Sequence, residues 1–159
     1  MNFEELFREA YKAAEKGEFE KAEDFYKQCL SLRQTPEIWN NLGNVYRRME
    51  KVARAIECYQ KAIELDRDYV PAYVNLASTL FNLERYDNTK LLLLRAIQLG
   101  MKDQRIVAML IACHLALEEF IQAVDLYISN MHDEILLEEL NEYGVLEQLE
   151  DLRKSWRKS

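Results

Sequence analysis

Proline and glycine are scarce, 2 and 4 in 159 residues. So little turn material excludes a loop-rich or hairpin-rich chain, and no Val/Ile/Thr-rich alternating run bounded by turn residues appears. Cysteine is scarce as well. Cys29, Cys58 and Cys113 are an odd number, far apart and without metal-type spacing, which argues against a disulfide framework and points to buried thiols in a reducing, cytoplasmic setting. Long apolar runs are missing. The N-terminal MNFEELFREAYKAAEKGE carries mixed charge and reads neither as a signal peptide nor as a membrane span. The longest apolar run, near Ile106 to Leu117, is interrupted by His114 and is too short to cross a bilayer. Basic residues are in deficit, 21 Lys and Arg against 28 Asp and Glu, a net charge of −7. That balance argues against nucleic acid or an anionic membrane as the main partner and would steer a basic segment towards the chain.

Catalytic constellations are equally thin. His114 lies in the apolar run and His132 in a loop, neither beside a recognisable nucleophile or carboxylate pattern, and there is no Gly-rich phosphate loop. Cys113 and His114 are sequence neighbours and so point to different faces of a helix. The acidic pairs Glu118–Glu119 and Glu138–Glu139 read as solvated surface. No metal-ligand cluster and no cofactor site emerge, and the chain is read as a non-enzyme.

What is present is helix. Hydrophobic residues make up 49% and charged residues 31%, which favours packed helices, and the length suits one core or about four helical-hairpin repeats. The most regular stretch is Pro36–Asp66, PEIWNNLGNVYRRMEKVARAIECYQKAIELD. Trp39, Leu42, Gly43 and Tyr46, then Ala55, Tyr59 and Ala62, fall on helical faces. Thr35 and Pro36 supply an N-cap and a first-turn proline. Gly43 reads as a place where two backbones approach closely. Thirty-four residues on stand Tyr73, Leu76, Ala77 and Leu80, then Thr89, Leu93 and Ala96. A further step gives Val107, Leu110, Ile111 and His114, then Ala123, Tyr127 and Asn130. Upstream, Ala22 and Tyr26 precede Ala55 and Tyr59 by 33 residues, and Gly17 suits a left-handed cap.

Trp-x-x-Leu-Gly-x-x-Tyr followed by Ala-x-x-x-Tyr-x-x-Ala resembles the tetratricopeptide repeat (TPR), a helix–turn–helix unit of about 34 residues. The resemblance implies an all-α, right-handed helical-hairpin solenoid forming a single domain over 1–159, with repeats near 3–35, 36–69, 70–103 and 104–131 and capping helices near 133–157. It also implies a non-catalytic protein–protein interaction module or adaptor, with a groove built from the first helix of each pair. On that inner wall fall Asn40, Asn41, Asn44 and Arg48 of the second repeat, then Val74, Asn75, Ser78 and Phe81 of the third. Arg105, Met109 and Ala112 follow in the fourth. Similar asparagines in this family hold an extended peptide by its backbone amides, since a carboxamide both donates and accepts. The partner implied is another protein, presented as an extended peptide or amphipathic helix. Self-association as a scaffold and a small chaperone that shields apolar client segments are the alternatives.

One subfamily clamps a C-terminal carboxylate with Lys, Asn, Asn, Lys and Arg. Here those places hold Asn40, Asn44, Asn75, Arg105 and Met109 in one frame, and Phe7, Tyr11, Asn41, Pro71 and Asn75 in the other. Neither set offers the charged donors that offset a carboxylate's desolvation. Along the chain the inner positions change character. Tyr11, Glu15, Asn41, Asn44, Arg47 and Arg48 make the early part polar, whereas Val74, Phe81, Ala108, Met109, Ala112, Leu115 and Ala116 make the later part apolar, and the last five belong to a helix that is apolar all round and needs a cover. The expected cover is the C-terminal segment, whose Leu140, Leu146, Leu149 and Trp156 need burial too; a second copy or a partner's apolar segment are the other candidates. The order of acidic residues from Asp133 to Asp151 before Arg153, Lys154, Arg157 and Lys158 suits a helix dipole.

Overall fold

The computed structural model describes residues 1–157, the side chain of Arg157 excepted; Lys158 of the dipole argument lies outside the described residues. Among the described residues there are ten helices and no strand. They run as α1 (Phe3–Glu15), α2 (Phe19–Leu32), α3 (Pro36–Arg48), α4 (Val52–Leu65), α5 (Val70–Asn82), α6 (Tyr86–Gln98), α7 (Gln104–Ala116), α8 (Phe120–Asn130), α9 (Glu134–Glu142) and α10 (Leu146–Arg157). The fold is an all-α helical-hairpin solenoid. The chain forms two compact units, Met1–Thr79 and Leu80–Ser159, with the boundary inside α5.

Local chemistry starts the helices where polar residues precede apolar periodicity. Asn2 and Glu5 form a reciprocal capping box at α1. Thr35 Oγ1 accepts from the Ile38 amide ahead of Pro36, and Asp103 and Asp133 cap α7 and α9.

One turn recurs. The amide five residues on bonds back to the carbonyl of Ala13, Tyr46, Leu80 and His114, from Glu18, Lys51, Arg85 and Glu119 respectively, at 2.8–3.0 Å. The residue before each donor is left-handed: Gly17 at φ 77°, Glu50 at 61°, Glu84 at 59° and Glu118 at 60°. This is the Schellman closure of a helix end. The same turn joins α9 to α10, with Gly144 at φ 73° and the Val145 amide on the Leu140 carbonyl at 3.1 Å. The C-terminal pair therefore closes like another hairpin, although its sequence departs from the repeat.

In the first unit α1 packs on α2, α2 on α3 and α3 on α4. Tyr26 and Tyr59 are fully buried at equivalent places, as are the small Ala22, Ala55 and Ala62. Gly43 makes room for a side chain rather than for a backbone: a Cβ there would stand 2.7 Å from Cε1 of Tyr59. In the second unit α7 packs against α6, α8 and α9, and α10 against α8 and α9. Ile111, at the place of Gly43, is fully buried in one cluster with Tyr127, Leu136, Leu140 and Leu149. The apolar helix is thus covered by the chain's own C-terminal pair.

Candidate functional site

In the first unit the six polar or amphipathic inner positions of the early repeats come together. Tyr11 and Glu15 of α1 and Asn41, Asn44, Arg47 and Arg48 of α3 line one groove of about 460 Å³ with Tyr26 and Asn75. Each projects there because it follows, by one or two places, a residue locked into the hairpin core.

Hydrogen bonds orient the lining. The Tyr59 hydroxyl donates to Asn44 Oδ1 at 2.6 Å. Asn75 Nδ2 donates to Asn40 Oδ1 at 3.0 Å. Asn40 itself is only 4% exposed, so it is not a groove residue, contrary to the reading that placed it on the inner wall. One helical position is a rotation of about 100°, and that rotation turns Asn40 into the packing where Asn41 faces the groove. Its role is to fix Asn75. Burial pushes the pKa of the Tyr26 hydroxyl up, against a hydrogen bond to Asn41 that lowers it.

The arginines are held by neutral acceptors. Arg47 donates to Ser78 Oγ at 3.0 Å, and Arg48 donates to the Ala14 carbonyl at 3.1 Å with its guanidinium 4.7 Å over the Phe19 ring. Ser78 therefore positions Arg47. Val74 is half-buried on the same helix. Next to the polar groove, and sharing Tyr11 with it, lies an apolar groove of about 500 Å³ against Phe3 and Phe7. The residue pattern of α1 carried this signal, since Phe3, Phe7 and Tyr11 recur at four-residue spacing.

The later positions belong to a different setting. Phe81 meets Tyr86 and Tyr143, with ring centroids 5.6 and 5.3 Å apart. Ala112, Leu115 and Ala116 share a cavity of about 350 Å³ with Tyr143, Val145 and Gln148. Arg105 is engaged with Asp103 and Glu139 at 3.7 and 3.8 Å, and Met109 is half-buried. In this unit α9 packs on α7, and Tyr143, Val145 and Gln148 border the space left over its inner positions.

A charged network escaped the sequence reading. Glu119, taken as solvated surface, lies 2.9 Å from both Lys90 Nζ and His114 Nδ1, and the hydrogen bonds from Lys90 and His114 hold its carboxyl below the ordinary carboxylate range. His114 is buried and thus has a carboxylate partner after all. Burial pushes the neighbouring Cys113 thiol up to about 12, as it does Cys58, so neither is a nucleophile at neutral pH. Among the described residues no helix is long and apolar enough to cross a membrane.

Models of the tetratricopeptide repeat match residues 8–38, 36–69 and 58–104, together more than half of the chain. No curated protein is significantly similar. Among solved structures, MamA is 22% identical, covers 98% of this chain with 86% of its own, and has a TM-score of 0.78. PilF of Pseudomonas aeruginosa is 21% identical over 91% of this chain at a TM-score of 0.76, and this chain spans 66% of its length. The first TPR of Spaghetti (RPAP3), solved bound to the HSP90 peptide SRMEEVD, is 23% identical over 73% of this chain and 93% of its own, with a TM-score of 0.68. At such identities the likeness is one of fold. With its recurrent left-handed turn, its small-residue hairpin contacts and its three repeat matches, the chain belongs to the tetratricopeptide repeat family.

Proposed function

We propose that the chain is a non-catalytic protein-interaction module that binds an extended segment of another protein in the groove of its first unit. The observation that carries this reading is the convergence of Asn41, Asn44 and Asn75 on one open groove, two of them oriented by Tyr59 and Asn40. Pre-positioned carboxamides suit a peptide backbone, because they donate and accept whatever side chains the peptide carries, and their order reduces the entropy cost of binding. The RPAP3 domain with its peptide offers a parallel for such a role. Three buried free thiols suit a reducing compartment such as the cytoplasm. An open apolar wall would suit the chaperone alternative, and the packing of α9 on α7 weakens that alternative. Affinity capture from native lysate with the intact chain and with the Asn41→Ala/Asn75→Ala variant tests the proposal. A partner retained by the intact chain should be weakened well over twofold by the variant, whereas equal retention within a factor of two removes the carboxamide groove.

A further inference from the structure

We propose that this groove selects an internal acidic segment, read by Arg47 and Arg48, with a bulky apolar residue of the same segment seated against Phe3, Phe7 and Tyr11. The proposal rests on the groove reading above and names the chemistry of the partner.

The two guanidinium groups are cations without a counter-ion. Among the described residues neither meets a carboxylate, whereas Arg33, Arg105 and Arg153 each do. Arg47 is held by Ser78 Oγ and the Tyr59 hydroxyl, and Arg48 by the Ala14 carbonyl, neutral oxygens that leave further donors on each guanidinium for a carboxylate. Glu15, exposed at the groove edge, is the carboxylate that lines the groove with them, while the adjoining groove carries Glu4 and Glu37 balanced by Arg8 and Lys12. The local charge is therefore positive in a chain of net charge −7. The overall charge suggested a basic target; the groove presents the opposite preference, and contact distance decides because charges beyond about 8 Å are screened at physiological salt.

The apolar part follows from continuity. Tyr11 lines both the polar groove and the adjoining one against Phe3 and Phe7, so a segment that leaves the carboxamides along α1 runs onto an aromatic surface. A free C-terminus is not required. Asn40 is buried and Asn75 is bonded to it, so two of the places where one subfamily clamps a terminal carboxylate are already engaged, and Arg47 and Arg48 can meet a side-chain carboxylate anywhere along a segment.

The test is a selection of random linear dodecapeptides displayed through their C-termini, so that none offers a free terminal carboxylate, against the full chain. The selected sequences should be enriched in Asp or Glu together with Phe, Trp, Leu or Met. An amidated synthetic copy should lose about tenfold in affinity on Arg47→Gln/Arg48→Gln. Replacing its acidic residues by their amides should cost the same on the wild-type chain and nothing further on the variant. The exposed Arg48→Gln alone, with an unchanged thermal melt, should show part of the loss without disturbing Ser78. Peptides that lose affinity on Asn41→Ala/Asn75→Ala but show no acidic enrichment overturn the acid reading and leave the groove intact. Failure to select any peptide overturns both.

Discussion

The two units use the same hairpin and the same left-handed turn, yet they treat their inner positions in opposite ways. In Met1–Thr79 the inner face is polar, ordered by Tyr59 and Asn40, and open as a groove. In Leu80–Ser159 it is apolar, and Tyr143 and Val145 of the C-terminal pair lie on it. The cause is visible residue by residue. Where the first unit has Asn44, the second has Ala112; where the first has Gly43 against Tyr59, the second has Ile111 in a cluster with Leu136 and Leu140. Apolar surface has to be removed from water and polar surface does not, so one face stays open to water and the other is packed by the C-terminal pair.

The largest effect that would break this comparison is removal of 133–159. Leu136, Leu140 and Leu149 are fully buried, and losing three such side chains forfeits about 5–9 kcal/mol, comparable with the whole stability of a small domain. The truncated chain should bind an apolar dye or aggregate while an intact control does neither. A truncated chain that is monomeric, soluble and dye-silent would show that α7 needs no cover.

Next come substitutions at the paired positions, which should both destabilise but for opposite steric reasons. Ile111→Ala leaves a cavity beside Tyr127 and should cost about 2–5 kcal/mol by urea denaturation. Gly43→Ala drives a methyl group into the buried Tyr59 ring, at 2.7 Å before relaxation, and should cost about 1–3 kcal/mol. Only the second should also weaken a peptide selected on the proposed groove, because Tyr59 orients Asn44. If Gly43→Ala proved neutral, the ring would be free to move and the order ascribed to the groove would fail.

These contrasts were partly legible in the sequence. A helix start could be read from Thr35–Pro36, and the shared face of Tyr11, Glu15, Asn41, Asn44, Arg47 and Arg48 from their spacing, because helical position sets direction once the core face is known. The need for a cover on α7 was legible too, since a helix apolar on all sides must be buried. Long-range pairing was not. Asn40 meets Asn75 across 35 residues and Glu119 meets Lys90 across 29, and no local spacing encodes either contact. The reading of Glu118–Glu119 as one solvated pair failed because the turn splits them: Glu118 is left-handed and exposed, while Glu119 begins the next helix beside His114.

Acid should sharpen the difference between the units. In the second, Glu119 is held low by Lys90 and His114, and Glu150 by Tyr127 and Arg153. In the first, burial raises Glu23 but Lys27 and Tyr46 outweigh it, so its carboxyl is also held low. A carboxylate whose folded pKa is depressed contributes stability that is present above its unfolded value, about 4.3 for Glu, and is lost as pH falls through the folded value. With two such groups against one, the second unit should lose stability faster below about pH 4. Urea midpoints followed from pH 7 downwards should fall less steeply in Glu119→Gln and Glu150→Gln; an unchanged slope would mean that these ion pairs persist in the unfolded chain.

The smallest effect concerns the turn that the units share. Glu50, Glu84 and Glu118 recur every 34 residues with φ near 60°, a conformation that costs a side-chain-bearing residue about 1 kcal/mol and that glycine adopts freely. Glu50→Gly and Glu118→Gly should each stabilise by about 0.5–1 kcal/mol, a rise of a few degrees in melting temperature. Gly17 and Gly144 provide the reverse control, because a Cβ at either would meet nothing within 4 Å. Gly17→Ala and Gly144→Ala should therefore destabilise through backbone strain alone. If Glu50→Gly moves one melting transition and Glu118→Gly another, the units unfold separately. If both move a single transition equally, the hairpins melt as one array, and the contrast between open and covered walls is a contrast of surface within one cooperative fold.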